Sequence, residues 1–264
     1  MNARPWALRS LRVGPHFNFC MILLAVTSVF VWLALRPQLT SVVTAHIPPI
    51  PCRDDLAIVA EEFFSQTGNA AEIGVYQGDF SKKNVGKWSG QYYMIDAWQF
   101  RKVDAENGLM DKNYQDSATN DQNMQVAKEN ALQHAGVNKA RIHVIRSLSV
   151  PAAALFPDKH FDWLYLDAMH DYENVLNDLK AWWPKLRPGG LMSGDDYGDS
   201  VDTPLMTSQR FAAKFSENAY RNGWGVQRAV LEFANLNGLT LHVTWANDCY
   251  REPAWYLVKP LRSD

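Results

Sequence analysis

The chain has 264 residues, 47% hydrophobic, 20% charged and 12% aromatic, with a formal net charge of −2. These proportions exclude a disordered chain, a collagen-like repeat and a disulfide-dense miniature scaffold. Residues 1–50 hold Arg4, Arg9, Arg12 and Arg36 and no acid, which leaves 22 basic against 28 acidic residues, a net of −6, in the rest of the chain. A body of that sign is a poor partner for phosphate backbones, so nucleic acid is not expected to bind it.

Residues 17–35 (FNFCMILLAVTSVFVWLAL) run nineteen positions without a charge. As a helix this length spans nearly 30 Å, the thickness of the hydrocarbon layer, and predicts a transmembrane anchor. A cleaved signal peptide is the alternative, with Val43-Thr44-Ala45 as its cleavage-like site. Signal cores, however, run about 7–15 apolar residues, and Arg36-Pro37 interrupts the path to that site. An organelle transit peptide would be amphipathic rather than continuously apolar. Three arginines precede the span and one follows it, which keeps residues 1–16 cytoplasmic and places the body in a secretory (Golgi or ER) lumen, as a single-pass type II protein. Residues 36–52, with four prolines between 37 and 51, read as a stiff stem. Cys52 and Cys249 could pair in an oxidising lumen, or could be two unrelated buried thiols; spacing does not decide between them.

From residue 53 to 264 a single domain is expected. Short apolar β-rich runs alternate with helical stretches, the pattern of a doubly wound, mostly parallel sheet covered on both faces. Residues 53–66 form an opening helix with Leu56, Val59 and Phe63 on one stripe. Strands follow at 70–75, 91–96, 141–146, 161–167 and 190–195. A helix near 121–135 stops at Gly136. The clearest helix is 171–183, capped by Asp171, with Val175, Leu176, Leu179, Trp182 and Trp183 as its buried stripe. After a further helix at 226–235, the strands 239–245 and 254–259 lie close enough in sequence to pair antiparallel.

Three groups of residues carry chemistry. Glu72-Ile-Gly74-Val-Tyr76-Gln-Gly78 joins a strand to a helix, and glycine there lets backbone approach a ligand. It is not the G-x-G-x-x-G of a dinucleotide site, and its acid suits a ligand with cationic groups, such as S-adenosylmethionine. Asp96 ends the second strand, where an acid commonly accepts from ribose hydroxyls; a loop cap is its other reading. Trp98, just beyond, is a candidate for packing near adenine or an acceptor. Asp167 ends the fourth strand, and Asp195 and Asp196 end the fifth. Adjacent strands lie about 4.8 Å apart, so carboxylates at two tips can share a hard divalent ion such as Mg²⁺. His170, three residues after Asp167, can titrate near neutrality and is the candidate general base.

The segments EIGVYQG, MIDAW, DWLYLDAMHDYENVLNDLKAWWPKLRPGG and SGDDY resemble the class I S-adenosylmethionine-dependent methyltransferases, and within them the metal-dependent O-methyltransferases of the catechol, caffeoyl-CoA and macrocin kind. The likeness runs over about residues 53–260. It implies a seven-stranded sheet with an antiparallel C-terminal hairpin. It also implies that Glu72, Gly74 and Gly78 line the methionine end of the cofactor, that Asp96 binds the ribose and that Ser147 lies near the adenine. Asp167, Asp195 and Asp196 would be metal ligands, and His170 falls where catechol-type enzymes place a catalytic lysine. Relatives often read Gly-His-Asp-Tyr where this chain has Gly194-Asp195-Asp196-Tyr197, so Asp196 matches better than Asp195.

The resulting expectation is a membrane-anchored, lumen-facing O-methyltransferase whose acceptor is a hydroxyl of a glycan, another polyol or a phenol. Two other classes remain open at this point. A nicotinamide-dependent reductase is opposed by the absent dinucleotide motif, and a tethered module that binds cofactor without turnover is opposed by the intact set of acids.

Overall fold

The computed structural model describes residues 49–99, 116–197, 225–244 and 253–261, all within the unit Pro48–Asp264. The expected anchor at 17–35 lies outside them. Among the described residues no helix is long and apolar enough to cross a membrane.

Seven strands form one sheet: β1 (Asn69–Ile73), β2 (Gln91–Asp96), β3 (Ile142–Arg146), β4 (Phe161–Leu166), β5 (Leu186–Gly194), β6 (His242–Val243) and β7 (Trp255–Val258). Their order is β3-β2-β1-β4-β5-β7-β6. The first five are mutually parallel. β7 runs antiparallel to both β5 and β6, as the short connection between the last two strands implied. β4 sits at the centre with all six residues buried, which is why its sequence shows no polar alternation; its one acid, Asp162, is paired with Arg187. β5 begins earlier than expected, at Leu186 rather than 190. Its register against β4 shifts between Phe161 and Trp163, so Arg187-Pro188-Gly189 belong to the strand's irregular start rather than to a separate turn.

Among the described residues five helices connect the strands: α1 (Asp79–Asn84), α2 (Ser117–His134), α3 (Ser149–Ala153), α4 (Tyr172–Trp182) and α5 (Val226–Leu236). One face of the sheet is covered by α3, α4 and α5. Their Ala152, Val175, Leu179, Trp182, Val230 and Phe233 join Ile73, Leu164, Leu166 and Met192 in one core. Each fully buried large side chain there contributes about 1.5–3 kcal/mol. On the other face, Phe80 of α1 stacks on Tyr165 at 3.6 Å between ring centroids, with Trp88 and Tyr92 edging onto Trp163.

Two helices depart from expectation for local reasons. α2 starts at Ser117, not 121, because the carboxylate of Asp116 accepts the Thr119 N–H and caps the first turn. The opening helix changes pitch, from a 3-10 turn (Arg53–Asp55) through Leu56–Ile58 into a π-helical stretch (Val59–Phe63). The wider turn breaks the 3.6-residue stripe, so Leu56, Ala57 and Ala60 are buried while Phe63 is 48% exposed. Ahead of this helix, the Ile50 N–H donates to the Tyr256 hydroxyl of β7 at 3.3 Å, and Cys52 is disulfide-bonded. Cys20 and Cys249, the remaining cysteines of the chain, lie outside the described residues.

Candidate active site

The parallel ladder continues one residue past each strand, and so lines up the tips. Gly74 donates to Ile95 at 2.8 Å, Asp167 to Ile73 at 2.7 Å, and Ser147 to Asp96 at 2.8 Å. Glycine loop, Asp96, Ser147 and Asp167 are therefore carried to one edge of the sheet, where ligands collect in open α/β folds.

At the β1 tip, Gly74 and Gly78 both adopt positive φ, +88° and +76°. A Cβ on Gly74 would stand 1.9 Å from the Asp167 carbonyl oxygen, and one on Gly78 would stand 2.9 Å from Cα of Ala127 in α2. Glycine is required at both places, at the first by the touching strand tips and at the second by helix packing. The carboxylate of Asp96 accepts the N–H groups of Val75 (2.8 Å), Tyr76 (2.9 Å) and Trp98 (2.7 Å). It thus holds the glycine loop against the β2 tip, in addition to standing where a ribose acceptor is expected. Trp98 is fully buried and donates its indole N–H to the Tyr76 carbonyl at 2.8 Å, clamping the same loop. Ser147 sits at the β3 tip, and its hydroxyl donates to the Leu148 carbonyl at 3.0 Å.

Glu72 is placed differently from expectation. Side chains alternate along a strand, and position 72 points under α1, not over the loop. There it is buried and accepts hydrogen bonds from the Ser81 hydroxyl and from the Tyr92 hydroxyl, the latter at 2.9 Å. Burial pushes its pKa up to about 8, so at neutral pH it is a protonated structural acid and presents no charge to a bound cation.

The acids at the tips of β4 and β5 also divide. Asp167, His170 and Asp196 bring their ligand atoms within 4.8 Å of one another. His170 Nε2 lies 3.3 Å from Asp167 Oδ1 and 3.0 Å from Asp196 Oδ2. Burial opposes a charge on the imidazole, but the two carboxylates outweigh it and raise its pKa well above the ordinary histidine value. Burial raises Asp167 as well, with Asp196 adding to the rise and the His170 hydrogen bond opposing it. The two carboxylates thus favour the protonated form of the imidazole, against the effect of burial. Two carboxylates and a nitrogen, all hard or intermediate donors, fit a divalent ion in place of that proton.

Asp195 is not in this group. It follows Ser193 on the α1 face of the sheet and forms a buried ion pair with Arg53, whose guanidinium also donates to the Tyr165 hydroxyl at 3.4 Å. Beyond the end of β5 at Gly194 the two carboxylates take different partners, Asp195 pairing with Arg53 and Asp196 with His170. Asp196 then leaves the strand with φ +56°, a left-handed turn uncommon for a side-chain-bearing residue. Arg53 was not anticipated from the sequence. Its one signal is that it is the sole Lys or Arg between Arg36 and Lys82.

A polar ligand is also suggested by α2. The Gln77 amide donates to Asn123 at 2.9 Å, tying the helix to the glycine loop. Beside it, both side-chain polar atoms of Asn120, and Nδ2 of Asn123, are buried without a hydrogen-bond partner. Such groups in native proteins generally meet a ligand or ordered water.

Comparison with known proteins agrees with this layout. Residues 71–197 match a family model described as a methyltransferase domain. No curated protein matches the sequence. Among solved structures, the chain resembles cofactor-bound Rv0187 from MTB at 18% identity and a TM-score of 0.51, covering 81% of this chain and 84% of that one. It resembles a protein from Corynebacterium glutamicum at 13% identity and a TM-score of 0.52, with the same two coverages. A structure from Nostoc punctiforme described as a candidate O-methyltransferase has 16% identity and a TM-score of 0.55, covering 78% of this chain and 55% of that one. Identities this low speak for a shared fold.

Proposed function

We propose that this chain, whose residues 71–197 match a methyltransferase-domain model, is a class I S-adenosylmethionine-dependent methyltransferase that transfers the methyl group to a hydroxyl with the help of a divalent cation. The observation that carries this reading is the convergence of Asp167, His170 and Asp196 directly beside the Gly74 turn, where backbone of β1 and β4 touch.

S-adenosylmethionine supplies a methyl group made electrophilic by its sulfonium, and a divalent ion supplies Lewis acidity toward the acceptor hydroxyl. The protein's own tasks are alignment, charge and proton handling. Gly74 to Gly78, held by Asp96 and Trp98, form the rigid turn against which the methionine end of the cofactor lies. Asp167 and Asp196 provide the negative charge that holds a cation. His170 Nε2, which lies between the two carboxylates, would join them in holding such an ion or would accept the proton of the acceptor hydroxyl. Fixing two reactants in line removes much of the entropy of encounter, worth several kcal/mol of barrier.

An oxygen acceptor with a second hydroxyl beside the first suits such a cation, which favours sugars, other polyols or catechol-like phenols over amines. With residues 17–35 as a membrane anchor and the domain in a secretory lumen, a glycan hydroxyl is the acceptor we favour. The test is to incubate the full chain with labelled S-adenosylmethionine and fractionated glycans or phenols, with Mg²⁺ or with EDTA. Label transferred equally in both conditions sinks the cation role; label transferred to amines alone sinks the O-methyltransferase reading. Protease digestion of sealed microsomes tests the topology, and a body digested without detergent would place it in the cytoplasm.

A further inference from the structure

Two carboxylates adjacent in sequence, Asp195 and Asp196, stand at one strand tip, yet the Asp167–His170 pair is met by the second of them alone. The partner of the first comes from outside the matched domain: Arg53, 18 residues ahead of its start. We infer that Arg53 decides which of the two aspartates serves the site, by pairing Asp195 on the α1 face and so keeping that carboxylate out of the Asp167–His170–Asp196 group.

Several observations support this. Asp195 lines the same pocket as Asp167 and His170, so it stands within reach of the group it does not join. Its Oδ2 is taken by Arg53, while its Oδ1 is buried without a hydrogen-bond partner. A buried charge with one satisfied oxygen is held by its counter-ion more than by its surroundings. Arg53 is itself 5% exposed and fixed from several sides: it reaches the Tyr165 hydroxyl, and its guanidinium carbon lies 5.7 Å from the centre of the Phe80 ring. The segment carrying it is anchored too. Cys52 next to it is disulfide-bonded, Ile50 donates to Tyr256, and Asp54 is bridged to Lys83 of α1 at 2.8 Å. The backbone beyond Asp195 is pinned by Asp195 N–H to the Leu166 carbonyl (3.1 Å) and by Tyr197 N–H to the Pro253 carbonyl (3.0 Å). Among the described residues, Arg53 is the cationic partner of the Asp195 side chain. Arg53 is a positioning residue, and it sets the charge and the ligand count of the site.

The inference rests on the proposed cation role, and a double-mutant cycle separates the two. The full chain, its Arg53→Met and Asp196→Asn variants and the double variant are titrated with Mn²⁺ by calorimetry. In the parent protein, loss of the Asp196 charge should weaken Mn²⁺ binding at least about thirtyfold. With Arg53 replaced, Asp195 is released to take the place of Asp196, and the same substitution should cost no more than about threefold, since coupled sites depart from additivity. A general electrostatic effect of the arginine would change both affinities alike, so equal losses in the two backgrounds overturn the inference. Arg53→Lys should keep most of the parent's sensitivity to Asp196→Asn, because an ammonium can still pair Asp195.

If the parent protein takes up no Mn²⁺, the cation reading fails while this one is still decided. The same four proteins, labelled with ¹⁵N-histidine, are compared at the His170 imidazole resonance. Asp196→Asn should move that resonance strongly in the parent and weakly in the Arg53→Met background; equal shifts overturn the inference. Should Arg53→Met fail to fold, Arg53→Lys and Arg53→Gln complete the cycle.

Discussion

Gly74 and Asp167 meet where the tips of β1 and β4 touch, so closely that a Cβ on the glycine would stand 1.9 Å from the aspartate's carbonyl oxygen. The glycine turn and the first residue of the Asp167–His170–Asp196 group are thus in direct backbone contact. Movement of either is transmitted to the other.

Gly74→Ala therefore should damage fold and site together. Its φ of +88° strains any side-chain-bearing residue, and the collision with Asp167 adds to that. We expect a loss of at least about 2 kcal/mol in stability, together with weakened binding of S-adenosylhomocysteine. Thermal unfolding and calorimetric titration check both; a variant with the parent's melting temperature and affinity would refute the contact.

Glu72 predicts a pH dependence of stability. Its folded pKa of about 8 lies above the ordinary 4.5. The unfolded chain therefore releases this proton first as pH rises, and the contribution of Glu72 is complete below about 4.5 and lost progressively up to about 8. The size is of the order of a few kcal/mol. Glu72→Gln, whose amide oxygen can still accept from Ser81 and Tyr92, should flatten this part of the curve and gain on the parent above pH 8. Chemical denaturation at pH 5, 7 and 9 measures it, and parallel curves for the two proteins would count against a protonated Glu72.

Cation uptake should release a proton. Asp167 and Asp196 raise the pKa of His170 between them, which favours a protonated imidazole whose proton an entering cation would displace. Calorimetry with Mg²⁺ or Mn²⁺ in two buffers of different ionisation heat should show about one proton released per ion, and affinity should fall as pH is lowered. His170→Gln should abolish that proton release. Heats independent of buffer would mean that the imidazole is neutral beforehand.

The partner of Cys52 should be Cys249. Ile50 is bonded to Tyr256 in β7, and position 249 precedes that strand by six residues in sequence. A non-reducing digest should yield one linked peptide pair containing residues 52 and 249; a link to Cys20 instead would disprove the assignment.

Much of this architecture was readable in advance. β2 lies at the residues its apolar run predicted, α4 follows its Asp171 cap and its stripe from Val175 to Trp182, with Trp183 left half-buried in the 3-10 turn beyond it, and the close spacing of the last two strands correctly implied an antiparallel pair. These are local properties: period, capping and chain distance act within one element or between neighbours. The opening helix was less legible, because a change of pitch inside it moved Phe63 out of the buried stripe.

The chain by itself determined the strand tips that carry acids and the glycines that must turn there. Only the tertiary structure decided the direction of each acid. Glu72 went beneath a helix, Asp195 to an arginine from a distant segment, and Asp196 to the histidine beside Asp167. The reason is physical: which face a side chain takes follows from strand alternation, but which partner it finds depends on charges that meet only when remote segments pack. Of these, Arg53 stands 142 positions from the carboxylate it holds.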